Sequence, residues 1–245
     1  MAGLACEIDM ILKICKKYNI KLIEDCAHSV GTKFKSKHVG NFGISGCFSF
    51  YPTKQITTGE GGMLVTNNKA YYDKIKKLKA FGIDKDINQR KKQGTYDVVS
   101  LGFNYRLTDF QSALGLKQIL SYKNNLKKRK FLASKYIQGL ENIKEVKCMP
   151  YSDNCSFFVF QIFCKNRDNL LKKFKQKKIG VSIHYATPLP YMTYYHKKYN
   201  LNKSNFRNAK DYANKNISLP IYPGLKFREL NRVVKVIKEF YGTTK

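Results

Sequence analysis

Residues 5–140 alternate short apolar strands with amphipathic helices, and past residue 145 an aromatic strand opens a region of different character. A long capped helix leads from the first region towards the second. Together these features predict an α/β chain with a large domain at residues 1–145, built on a mainly parallel sheet. A smaller α+β domain follows at residues 146–245.

Each element has its own signal. Residues 5–18 place Ile8, Ile11, Leu12 and Cys15 at helical spacing, so a helix opens the chain. KLIEDCAH (21–28) is a short apolar strand that ends in charge, SGCFSFY (45–51) a second strand, and GGMLVTN (61–67) a third that runs into Asn67 and Asn68 as turn residues. Helical period resumes over KAYYDKIKKLKA (69–80). The long helix is expected from about Thr108 to Leu140, because Thr108 with Gln111 three residues on forms a capping-box pattern. In the second region CSFFVFQIFC (155–164) reads as a strand, 167–178 as a helix and GVSIHY (180–185) as a further strand. SLPIYPGL and the amphipathic FRELNRVVKVIKEFY complete the small domain.

Composition narrows the function classes. A net charge of +29 would suit a nucleic-acid phosphate backbone. The lysines, however, are spread through KICKKYNIK, KIKKLK, LKKRK and LLKKFKQKKIG, with apolar residues between them. That spacing describes solvated helix faces, and no RNA- or DNA-binding motif accompanies it, so neither nucleic acid nor membrane is expected as a partner. The basic surface can still steer an anionic small substrate. The seven cysteines are dispersed without a CxxC pair, which fits buried free thiols of a reducing compartment and gives no zinc-ligand spacing. No apolar run approaches the ~20 residues of a membrane span. The first residues lack the order of a secretory signal. A cytoplasmic protein without a metal is the expectation.

The polar residues at strand ends carry the chemistry. Asp25 stands where the strand KLIED leaves its apolar core, and His28 lies three residues on. Ser49 is inside the next strand, Pro52 stops that strand, and Lys54 follows alone between an aromatic run and the turn TTGEGG. A desolvated lysine amine is a nucleophile suited to Schiff-base chemistry. A carboxylate can hold a pyridine nitrogen protonated, and a serine can donate to phosphate. Taken by themselves, an Asp after a strand also reads as a cap and a Lys in a loop as solvated.

The blocks IEDCAHSVG, VGNFGISGCFSFYPTKQITTGEGGMLVTN, GFNYRLTDFQSALGLKQI and IHYATPLP, in that order, resemble the DegT/DnrJ/StrS family of pyridoxal-phosphate-dependent sugar aminotransferases, of fold type I. The SFYPTK…TTGEGG block is the most specific of them. The resemblance implies that Lys54 is the Schiff-base lysine and that Asp25 contacts the pyridine nitrogen. It places His28 near the phenolic oxygen of pyridoxal 5'-phosphate and Ser49 on the phosphate. Asn104 would reach the cofactor phosphate of a neighbouring subunit, which implies a homodimer with shared active sites. His184 and Tyr185 would lie near the substrate sugar. Departures are Pro188-Leu189-Pro190, where the family usually ends in His, and Cys26, where Ala is common.

The implied reaction transfers an amino group, with glutamate as expected donor, to a keto-deoxysugar of a nucleotide sugar. Set against the family, the chain is expected to lack the N-terminal third with its Gly-Thr phosphate turn and ring-stacking aromatic. A second reading therefore stands beside the first: an inactive or partner-dependent fragment with a structural or regulatory role.

Overall fold

A computed structural model describes residues 1–242. The chain divides into two compact units. One comprises Met1 and Ala5–Lys123, the other Ala2–Leu4 and the chain from Asn124 onward.

The first unit begins with α1 (Ile8–Lys17), whose buried Ile8 and half-buried Leu12 pack with Cys26 and Val39 in a small core. The strand β1 (Ile23–Asp25) follows, then a tight hairpin of β2 (Lys33–Phe34) and β3 (Lys37–His38). Lys35 and Ser36 both have positive φ, 45° and 68°, as a two-residue hairpin turn of this handedness requires. β4 (Ser45–Ser49) lies between β1 and β5 (Gly62–Val65). β4 is parallel to β1, with Asp25 opposite Cys47, and antiparallel to β5, with Ser49 opposite Gly62. The expected sheet is thus a mixed one of three strands, and its one parallel pair sends both carboxyl ends to the same edge. α2 (Lys69–Leu78) is capped by Asn68, whose side-chain oxygen accepts from Tyr71 N–H at 3.1 Å.

α3 (Asp109–Leu140) starts with the reciprocal bonds its sequence predicts: Thr108 N–H donates to Gln111 Oε1 at 3.0 Å, and Gln111 N–H to Thr108 Oγ1 at 3.2 Å. The division between the units falls within this helix.

The second unit holds an antiparallel sheet in the order β6 (Val146–Cys148), β7 (Phe160–Cys164), β8 (Asn216–Leu219). Between β7 and β8 run α4 (Arg167–Gln176), α5 (Thr193–Lys198) and α6 (Arg207–Lys215); α7 (Phe227–Phe240) closes the unit. Leu230, Val233, Val234, Val236 and Ile237 of α7 are buried on one face, at the spacing the sequence displays. They join Tyr136, Phe160, Ile162, Phe174 and Ile217 in one contiguous core.

Two expected strands are shorter than their sequence suggests. Residues 155–159 precede β7 as irregular, buried chain, with Phe157 at φ 47°. Their polar groups are met from elsewhere. The N–H groups of Ser156 and Phe158 donate to Gly3 O and Ala2 O, and Arg129 Nη1 donates to Phe157 O, Phe158 O and Ile221 O. Backbone that finds partners outside a ladder has no need of the ladder. Residues 180–185 likewise contribute only one bridge, Ser182 with Ser218. Beyond it, His184 N–H donates to Asn216 Oδ1 at 3.0 Å and His184 O accepts from Gln161 Nε2 at 3.0 Å, so side chains take the place of a strand partner.

Candidate active site

The expected cofactor residues of the first unit gather at the carboxyl edge of β1 and β4. Register puts Asp25, Cys47 and Ser49 on one face of the sheet and Glu24, Gly46 and Phe48 on the other. The Asp25 carboxylate is exposed and caps the turn after β1, accepting from Ala27 N–H at 3.0 Å. Ser29 N–H closes the same turn onto Cys26 O, and His28 is held half-buried inside it. Ser49 Oγ accepts from Tyr51 N–H at 3.3 Å.

Lys54 follows a reverse turn closed by its own N–H on Tyr51 O at 2.9 Å. Its amine is half-buried, and desolvation lowers its proton affinity below the ordinary lysine range. The Asp25 carboxylate opposes that shift, which places the two groups within electrostatic reach of each other. Lys54 is thus a partly desolvated amine on which the Asp25 charge acts.

What holds the loop is a stripe along α3 that sequence reasoning did not single out. Gln118 clasps Thr57 with both ends of its amide: Thr57 N–H donates to Oε1 at 3.1 Å, and Nε2 donates to Thr57 O at 2.6 Å. Gln111 Nε2 donates to Glu60 O at 2.9 Å. Tyr122, buried, donates its hydroxyl to Val30 O at 2.5 Å and so fastens the chain just beyond the His28 turn. Residues 111, 118 and 122 lie on one helix face, together with Gly115, whose missing Cβ would stand 3.1 Å from Thr58 Cγ2. Within the loop, Phe50 O accepts from both Thr57 Oγ1 and Thr58 N–H at 3.0 Å. Gly61, at φ 149°, has no room for a side chain, since a Cβ would come within 2.5 Å of Thr58 Oγ1 and 2.8 Å of Leu107.

On the opposite face of the sheet Glu24 does structural work. Its carboxylate accepts from Gly40 N–H at 2.6 Å, Phe42 N–H at 2.6 Å and Gly43 N–H at 2.8 Å, folding the 40–43 loop onto β1. Cys26 beside it is buried and its thiol is pushed up to about 12, chiefly by desolvation and then by Glu24 and Asp25, so it is an inert packing group.

The remaining expected residues stand elsewhere. Asn104 is exposed, bridged with Ala80, and its amide oxygen accepts from Arg106 Nε at 3.3 Å; its bonds do not run to the Asp25–Lys54 group. His184 and Tyr185 lie in the second unit, their rings edge to face at 5.4 Å. A groove of about 840 Å³ in the first unit is walled by Glu60, Gly61, Met63, Tyr72, Tyr105 and Arg106, but neither Lys54 nor Asp25 lines it. No cluster of His, Cys, Asp and Glu fit for a metal occurs among the described residues. No helix among them is long and apolar enough to cross a membrane.

Known proteins resemble the chain over most of its length. The chain is 34% identical over 235 residues to UDP-4-amino-4,6-dideoxy-N-acetyl-beta-L-altrosamine transaminase of Campylobacter jejuni serotype O:2, covering 93% of this chain and 60% of that protein. It is 30% identical over 249 residues to the spore coat polysaccharide biosynthesis protein SpsC of Bacillus subtilis, covering 97% of this chain and 64% of the relative. The solved structure of Helicobacter pylori PseC, an aminotransferase involved in the biosynthesis of pseudoaminic acid, superposes with a TM-score of 0.90 at 26% identity, over 99% of this chain and 65% of that one. The chain thus spans 60 to 64% of the length of the two curated relatives. A model of the DegT/DnrJ/EryC1/StrS aminotransferases matches residues 1–238. This chain therefore belongs to the DegT/DnrJ/EryC1/StrS aminotransferase family.

Proposed function

We propose that this chain carries the reactive lysine of a pyridoxal-phosphate-dependent aminotransferase that aminates a keto-deoxysugar of a nucleotide sugar, for amino-sugar or polysaccharide biosynthesis. The observation that carries the reading is the pair Lys54 and Asp25: an amine made less basic by burial, within the electrostatic influence of a carboxylate at the carboxyl end of a parallel strand. The residues fit the cofactor. Lys54 Nζ would hold its aldehyde carbon, Asp25 its pyridine nitrogen, and Ser49 Oγ its phosphate, with His28 beside the ring.

Pyridoxal phosphate, when bound, supplies a carbonyl for amine capture and a ring that accepts electron density. Asp25 keeps the proton on the ring nitrogen. Partial burial keeps a larger share of Lys54 unprotonated near neutral pH than an exposed lysine would have. Lys54 Nζ would take the proton from the donor's α-carbon as base and, as acid, give it up at the carbon that had been the cofactor's aldehyde. Glutamate is the proposed donor, and His184 and Tyr185 would meet the sugar. Asn104, exposed and bonded to Arg106, suits a role across a homodimer interface, with shared active sites. The place of such a reaction is the cytoplasm, where activated sugars are made.

A second reading, a partner-dependent or structural fragment, draws on the 60 to 64% share of the relatives' length. One experiment separates the two. Purified protein mixed with pyridoxal phosphate should shift the cofactor's absorbance, and Lys54→Ala should abolish the shift. A wild-type protein that leaves the spectrum unchanged overturns the enzyme reading of this chain.

A further inference from the structure

His184 sits in a buried polar chain that serves its backbone as well as its ring. Gln161 and Asn216, 3% and 0% exposed, bond its carbonyl oxygen and its N–H. Each is itself held: Tyr212 OH donates to Gln161 Oε1 at 2.8 Å, and Asn216 Nδ2 donates to Tyr212 O at 3.0 Å. The backbone of His184 is therefore fixed at two points, and the ring at a third: Nδ1 lies 2.8 Å from Ser218 Oγ.

The direction of that last bond follows from Ser218. The residue is 4% exposed, and its N–H and C=O are both used in pairing with Ser182. Among the described residues its hydroxyl meets no acceptor except His184 Nδ1. Were the imidazole to carry its proton on Nδ1, the serine would accept and its own O–H would be buried without a partner, which disfavours that tautomer by on the order of tenfold or more. If the serine donates, its buried O–H is satisfied by the ring. Asn216 and Gln161 cannot alter this choice, since both address the backbone and not the ring.

We propose that Ser218 is a positioning residue that holds His184 in the neutral tautomer with its proton on Nε2. The ring edge away from Ser218 is then a hydrogen-bond donor and not a base. Resting on the aminotransferase reading, this means that His184 recognises an oxygen acceptor of the sugar nucleotide, a carbonyl, hydroxyl or phosphate oxygen, and takes no proton from it. The proton transfers are left to Lys54.

The test reads the tautomer directly and needs neither cofactor nor substrate, so it can fail while the cofactor assay succeeds, or the reverse. In protein labelled with ¹⁵N-histidine, long-range ¹H–¹⁵N spectra at neutral pH separate protonated from unprotonated ring nitrogens. His184→Gln identifies the resonances among the four histidines. Wild type should show Nε2 protonated over Nδ1 by on the order of tenfold or more. Ser218→Ala should relax that ratio towards the value of free histidine in the same buffer, and Ser218→Thr, which keeps the hydroxyl, should restore it. A wild-type protein with Nδ1 protonated overturns the proposal, and this holds even if the alanine variant fails to fold. So does a folded alanine variant whose ratio equals that of wild type.

Discussion

At the scale of single residues, two adjacent carboxylates do different things because strand alternation sends them to opposite faces. Glu24 is a fastener for three backbone amides, whereas Asp25 is a charge partner for an amine. Glu24→Ala should cost about 2–3 kcal/mol in urea unfolding, as charged acceptors of backbone N–H groups do. Asp25→Asn should act on Lys54. Burial lowers the amine's pKa and Asp25 raises it, so removing the carboxylate lowers it further. More of the amine is then free at a given pH. With limiting amine-acylating reagent at about pH 8, peptide mass spectrometry should find Lys54 modified faster than the exposed lysines, and faster still in Asp25→Asn. At lower pH protonation slows every lysine, and the ordering is kept. Slower labelling of Lys54 in the variant would mean that Asp25 does not hold its proton.

At the scale of elements, α3 serves the site as a rail. Gln118→Ala leaves the N–H and C=O of Thr57 without partners, for about 1–3 kcal/mol, against a gain of a few tenths in helix propensity. Amide exchange at Thr57 and Thr58 should quicken while the helix around residue 118 stays protected; unchanged exchange in the loop would remove the clasp from the account. Such a clasp was not legible in the sequence, because a glutamine on a helix looks the same whether it meets water or a loop. The elements themselves were largely legible. α1, α2 and α7 lie inside the stretches whose periodicity announces them, and the Thr108–Gln111 box marks the start of α3. β4 ends at Ser49, three residues before Pro52, which stands in the turn to Lys54. Residues 155–159 misled because aromatic density signals burial, and burial was met without a strand. α5 and α6 gave no warning, since TYYHKK and RNAKDYANK carry too few apolar residues to show a period. The residues of the Lys54 site were nameable from strand ends and the resemblance, but their mutual charge coupling exists only once β1 and β4 are paired.

At the scale of the whole molecule, the two units are unequally provided with core. The second has a contiguous cluster that includes Tyr136, Phe160, Phe174, Ile217 and Ile237, all fully buried. The first has Ile8, Cys26 and Val39 as its buried cluster, with Leu12, Phe42 and Phe48 half-buried beside them. Its sheet leaves Ile23, Met63 and Leu64 exposed at 61%, 52% and 39%. Apolar burial is the main stabilising term, at about 25 cal/mol per Å², so stability should be divided as unevenly as the core. Native-state hydrogen exchange should find the slowest amides in β7, β8 and α7, and faster sub-global opening in β1, β4 and β5. Phe160→Ala, costing about 3–5 kcal/mol, should raise exchange throughout the second unit's core. If pyridoxal phosphate binds at Lys54, it should slow exchange in β1 and β4 first, because a ligand stabilises the states that hold its site and these are the least stable strands without it. Slowing confined to β7 and β8 would place the cofactor elsewhere, and equal protection in both sheets of the free protein would show that core size does not set the order of opening.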